Sequence, residues 1–116
     1  MVEFDFRAMD WPVAPLDASA YFLAHCLPQV REMLAGEGMW EPLERPQAAC
    51  VILPEASHEH HSWRIAAVEE LAREAAPVRI NGIVGGSDEA LEEVVAYLDA
   101  APGVTGQVLE VADASG

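Results

Sequence analysis

The chain has 116 residues, 52% of them apolar, and sets twenty carboxylates against six arginines and no lysine, a formal net charge of −14. A single domain over 1–116 with a compact core is expected at that length, and the apolar share excludes a disordered chain. So acidic a balance argues against nucleic acid and anionic membrane surfaces as partners, since both require clustered Lys and Arg to neutralise phosphates.

No stretch approaches the roughly 18 apolar residues of a membrane span. Met1 to Arg7 lacks the basic start and apolar run of a signal peptide. Cys26 and Cys50 sit among apolar neighbours, which suits small buried thiols in a reducing compartment, and two cysteines alone make no zinc site. A cytoplasmic protein is expected.

The elements follow in chain order. Val2, Phe4 and Phe6 alternate with Glu3, Asp5 and Arg7, the period of a strand with one wet face. After a proline-bounded turn from Trp11 to Pro15, Asp17 is the expected N-cap of a helix over Ala18 to Ala35, with Gly36 as its stop. Tyr21, Phe22, Cys26, Val30, Met33 and Leu34 form its apolar side, and Pro28 should kink it. Gly36 to Gln47 reads as a loop. Ala48 to Leu53 is an unbroken apolar run between prolines, the pattern of a strand covered on both faces.

A helix then begins between His58 and Ser62 and ends before Pro77, with Trp63, Ala67, Leu71 and Ala75 inward and Arg64, Glu69, Glu70 and Arg73 facing water. Val78 to Val84 is the third strand. Ser87 caps a helix to about Ala101, helped by Asp88 and Glu89 in its first turn. Gln107 to Val111 is the last strand, and Ala112 to Gly116 a frayed tail. Strands alternating with helices predict an α/β fold: a small four-stranded parallel sheet with three crossover helices. Three helices do not readily cover eight strand faces, so a homo-oligomer, most simply a dimer, is expected.

Val78-Arg79-Ile80-Asn81-Gly82-Ile83-Val84-Gly85-Gly86, with Val104-Thr105-Gly106-Gln107 beyond the next helix, resembles the closing third of a short-chain dehydrogenase/reductase. There a strand reading I-R-V-N-x-I-x-P-G precedes a helix and a strand introduced by T-G-Q. Leu27-Pro28-Gln29-Val30-Arg31 is similar to the family's L-P-x-M-R. Ala66-Ala67-Val68-Glu69-Glu70-Leu71 to Pro77 is similar to its A-A-V-x-x-L helix ending in A-P. The resemblance implies a Rossmann-like half domain, truncated to the C-terminal half and without the glycine-rich pyrophosphate turn.

It also implies a family tetrad of Asn, Ser, Tyr and Lys, which this chain does not supply. It has no lysine, its one asparagine is Asn81, and the Tyr and Lys positions fall on His58 and Ser62 or on His61 and Ile65, depending on register. Ser57 stands at the wrong offset, and Gly85 replaces the proline of P-G. No catalytic residue and no cofactor are expected. In the family, the helices matching Ala18–Ala35 and Ser62–Ala76 pack against symmetry mates, which implies Phe22, Val30 and Leu71 at an interface.

Glu55, Ser57, His58, Glu59, His60 and His61 form the densest chemical patch. Its imidazoles are candidate zinc or nickel ligands, although adjacent His60 and His61 do not point the same way and a solvated cap is the simpler reading. Trp11, Trp40 and Trp63 are expected to cap the core. Glu69-Glu70 and Glu92-Glu93 read as solvated helix faces. Asn81, in a buried strand, is expected to bond a neighbouring loop. The function expected is non-catalytic: an oligomeric scaffold or a regulatory partner. The alternatives are a small-ligand or metal-binding module at His58–His61 and half of a split oxidoreductase completed by another chain.

Overall fold

The computed structural model describes residues 1–35 and 46–111; the expectations for Gly36, Trp40 and the 112–116 tail lie outside them. In chain order the elements are β1 (Val2–Asp5), α1 (Pro15–Tyr21), a π-helical turn (Phe22–Cys26), α2 (Leu27–Ala35), β2 (Ala48–Leu53), a 3-10 turn (His58–His60), α3 (His61–Ala75), β3 (Arg79–Val84), α4 (Asp88–Asp99) and β4 (Val108–Glu110). All strand pairs are parallel, in the order β1-β2-β3-β4. The expected α/β architecture is present, with α1, the π turn and α2 forming one interrupted crossover.

The start of α1 differs from the expectation. Its N-cap is Ala14 with Pro15 at the first helical positions, and Asp17 lies inside the first turn. Proline suits that place because its missing N–H would be unpaired in any case. Ahead of Pro28 the helix widens instead of simply kinking: Leu27 N–H reaches back to Phe22 O, closing the π turn. At α4 the expectation holds, and Ser87 Oγ accepts from Ala90 N–H at 3.2 Å.

The sheet separates two cores. One face carries Ala49, Val51, Leu53, Ile80 and Val84 beneath α1, α2 and α3; the other carries Cys50, Ile52 and Ile83 beneath α4. The four strands step one way across the sheet while the helices change face. The β3-α4-β4 crossover is therefore opposite in hand to the two before it, a departure from the near-universal right-handed rule. Gly85 and Gly86, at φ +73° and +93°, make the turn. A Cβ at Gly86 would stand 2.7 Å from Val111 Cγ1, so no larger residue fits without movement.

Coverage is more complete than a count of helices suggests. Every residue of β2, and all of β3 but Arg79, is buried within the one chain. On the α4 side, β1 presents Glu3 and Asp5, both exposed, where an apolar residue would need cover. The bare inner-strand surface from which an oligomer is expected is not present among the described residues: charge on β1 does what a further helix would otherwise do.

Candidate functional site

Two regions carry the candidate residues: the carboxyl ends of the strands, and the groove between α1–α2 and α3. At the strand ends the loop after β1 folds inward, and Trp11 Nε1–H donates to Phe6 O at 2.8 Å. Trp63 packs against Trp11 and Phe22 at ring-centroid distances of 6.3 and 5.8 Å. Trp63 Nε1–H donates to His60 Nδ1 at 3.0 Å, and His60 Nε2 lies 3.0 Å from Val13 O. With Nδ1 accepting, Nε2 must carry the proton, which assigns the tautomer from its partners. Both nitrogens of His60 are thus engaged within the chain, and its ring is 5% exposed.

The other two histidines are separate from it. His58 and His61 stack at 5.6 Å, and His61 Nδ1 is 3.7 Å from Glu110 Oε1 on β4. Among the described residues no group of three or more His, Cys, Asp or Glu side chains is placed to hold a metal ion. His60 belongs to a structural hydrogen-bond chain, so the three imidazoles do not converge.

Arg64 is the residue that the helical pattern misplaces. It is expected in water but is 5% exposed, because Arg64, Val68, Leu71 and Ala72 form the face of α3 laid on the sheet. Its guanidinium donates from Nη1 to Pro54 O at 2.9 Å and lies 5.5 Å from the Trp63 ring centroid, while Nε is buried without a partner among the described residues. Burial holds its pKa below the ordinary range, with Glu110 pulling the other way. The four-residue offset from Val68 and the preceding Pro54 are the signals by which it was legible.

The strand carrying the dehydrogenase-like motif is wired for architecture. Asn81, 2% exposed, donates from Nδ2 to Val104 O and accepts at Oδ1 from Gln107 N–H, both at 3.0 Å. Thr105 Oγ1 accepts from Ile80 N–H at 3.1 Å, and Gly106 N–H, at φ +73°, donates to Ile80 O at 2.7 Å. The buried asparagine bonds a loop, as the sequence suggests. Cys26 and Cys50 are free and buried; desolvation pushes their thiols up to about 11 and about 12, the second helped by Glu3 and Asp5. Neither is poised as a nucleophile.

Phe22, Val30 and Leu71, expected at an interface, are 1%, 0% and 3% exposed and belong to the chain's own core. Phe22 and Leu71 nevertheless form part of the floor of a groove of about 650 Å³ between α1–α2 and α3, alongside Leu23, Leu27 and Ala67. Leu23, at 53%, is an exposed apolar side chain in its lining, and Leu16, at 83%, is exposed at the start of α1. Leu23 was missed because the apolar stripe was read on the buried side of the helix alone, and Leu16 because the helix was started at Ala18.

A parallel α/β half sheet whose strand ends point to one side is the architecture of a Rossmann-like half domain. A family model described as "short chain dehydrogenase-like protein" (SDR-like) matches residues 6–111. The chain belongs to that family. No curated protein and no solved structure matches it.

Proposed function

We propose that this chain acts without chemistry of its own, as a homo-oligomeric scaffold or regulatory partner that associates through α1–α2 and α3. The observation that carries this reading is the exposed Leu23 on an open groove floored by Phe22, Leu27 and Leu71, with Leu16 exposed seven residues before it. An exposed apolar side chain over an apolar groove marks an interaction surface. The strand ends support the non-catalytic half of the reading. Trp11, Trp63 and His60 bond one another and the backbone there, and no lysine is available to lower a tyrosine pKa. Sedimentation equilibrium at micromolar concentration is the test: the chain should sediment as a dimer and Leu23→Glu as a folded monomer. A wild-type monomer overturns the reading.

A second reading rests on a cleft of about 590 Å³ at the strand ends, lined by Glu55 and Glu110. Two carboxylates there favour a small organic cation as ligand. Titration with a small organic diamine, followed by the amide resonances of Ala56 and Val111 in the cleft wall, tests it; unchanged resonances at millimolar diamine dispose of it.

A further inference from the structure

We propose that the free edge of β1 is a docking site for an extended segment of a partner protein in which apolar and basic residues alternate. β1 ends the sheet, and among the described residues nothing pairs with its outer side. Phe6 N–H donates to Ile52 O, so alternation along the strand turns the backbone of Val2 and Phe4 toward β2 and that of Glu3 and Asp5 outward. Two N–H and two C=O groups are thereby left to solvent, a ready template for strand addition.

The side chains specify which strand fits. On the α1–α3 side, Val2 and Phe4 are only half buried, and each lacks a cross-strand neighbour on its outer flank. On the α4 side stand Glu3 and Asp5, both exposed; the Asp5 carboxylate is held by Arg7, whose Nε and Nη2 donate to its two oxygens at 2.9 and 2.8 Å, whereas Glu3 has no ion pair among the described residues. The helix α4 meets the chain just beyond each end of β1. Its first residue, Asp88, reaches Arg7 at 3.3 Å beyond one end of β1, and its last, Asp99, lies 3.8 Å from the Met1 amine at the other. Glu92, one turn on from Asp88, is exposed on the same row. An added strand would lay alternate side chains against Val2 and Phe4, and the others against this acidic wall. Apolar residues satisfy the first set and Lys or Arg the second.

The same charges decide against a second copy. Two β1 edges brought together would set Glu3 and Asp5 of one chain beside those of the other, and like charges facing one another across strands are destabilising. An added strand of purely apolar character would leave Glu3 beside it without a partner, while Asp5 keeps Arg7. The site is independent of the helical groove, which lies on other elements, so a Leu23→Glu chain should bind the segment as well as wild type.

The experiment uses an end-blocked eight-residue peptide alternating arginine and valine. Controls are the same composition in two blocks and an alternating glutamate–valine peptide. Binding is followed by fluorescence anisotropy and by amide hydrogen exchange. The alternating basic peptide should bind and slow exchange at the Glu3 and Asp5 amides at least tenfold. Glu3→Arg, an exposed substitution, should weaken that binding at least tenfold and admit the glutamate–valine peptide instead. Equal binding by the block peptide without amide protection would reduce the effect to general charge attraction and overturn the proposal. No binding at millimolar peptide, or protection that rises with protein concentration alone, would overturn it too.

Discussion

The two faces of the sheet solve the same problem by different physics. Beneath α1, α2 and α3 the strands are covered by a broad apolar core that includes Phe22, Val30, Val51, Leu71 and Ile80. Beneath α4 the core is smaller, built on Cys50, Ile52, Ile83, Leu91 and Leu98, and the remaining strand is made wettable by Glu3 and Asp5. Covering a strand with a helix gains apolar burial at roughly 25 cal/mol per Å². Placing carboxylates on it gains little stability but leaves no sticky surface. A sheet can therefore end without a partner if its last strand is chemically two-sided.

Substitutions sharpen that contrast, beginning with the largest. Phe22→Ala should destabilise the chain by about 3–5 kcal/mol and Leu98→Ala by about 2–5, both measured by urea unfolding, because each empties a fully buried site. If Leu98→Ala were neutral, the α4 face would not be a packed core. Asn81→Ala should cost about 1 kcal/mol, since it strands Gln107 N–H and Val104 O in a part-buried setting. By contrast Arg64→Met should lie within about 1 kcal/mol of wild type or exceed it, because it removes an incompletely paired buried cation while keeping its bulk.

The smallest expected effect is pH-dependent. Both thiols have raised folded pKa values, about 11 for Cys26 and about 12 for Cys50, against an ordinary value of 9.0. A raised folded pKa means that the folded chain holds its proton more tightly than the unfolded one. The stability is fully present below pH 9 and is lost as pH rises toward 11 and 12. Between pH 7.5 and 9.5 the urea midpoint of wild type should fall more than that of Cys50→Ala. Equal slopes would mean that the Cys50 thiol is not desolvated as the α4-side core requires.

Much of the fold was legible because its signals are local. The run Ala48–Leu53 has one reading, and the Ser87 cap with Asp88 and Glu89 behind it marks a helix start. The face that α4 covers was not legible, since no residue pattern records the hand of a crossover. The burial of Arg64 was missed for a similar reason. Its aliphatic stem and guanidinium reach a carbonyl, Pro54 O, that only the fold brings near. The histidine patch misled in the other direction: His58, His60 and His61 are close in sequence, yet His60 turns inward to Trp63 while His61 turns out to Glu110.

Asn81 ties three parts of the molecule into one opening unit. Its amide holds the loop before β4 at Val104 and Gln107, while Gly82 N–H donates to Gln107 O at 2.7 Å and Thr105 bridges to Ile80. The three-residue edge strand β4 is thereby anchored to a central strand through side chains as well as through its ladder. Local unfolding runs along such shared bonds. The edge strand should not fray alone: amide exchange at Gln107, Val108 and Leu109 should report the opening of the middle of β3, so the shortest strand of the sheet inherits the lifetime of one of its most deeply buried.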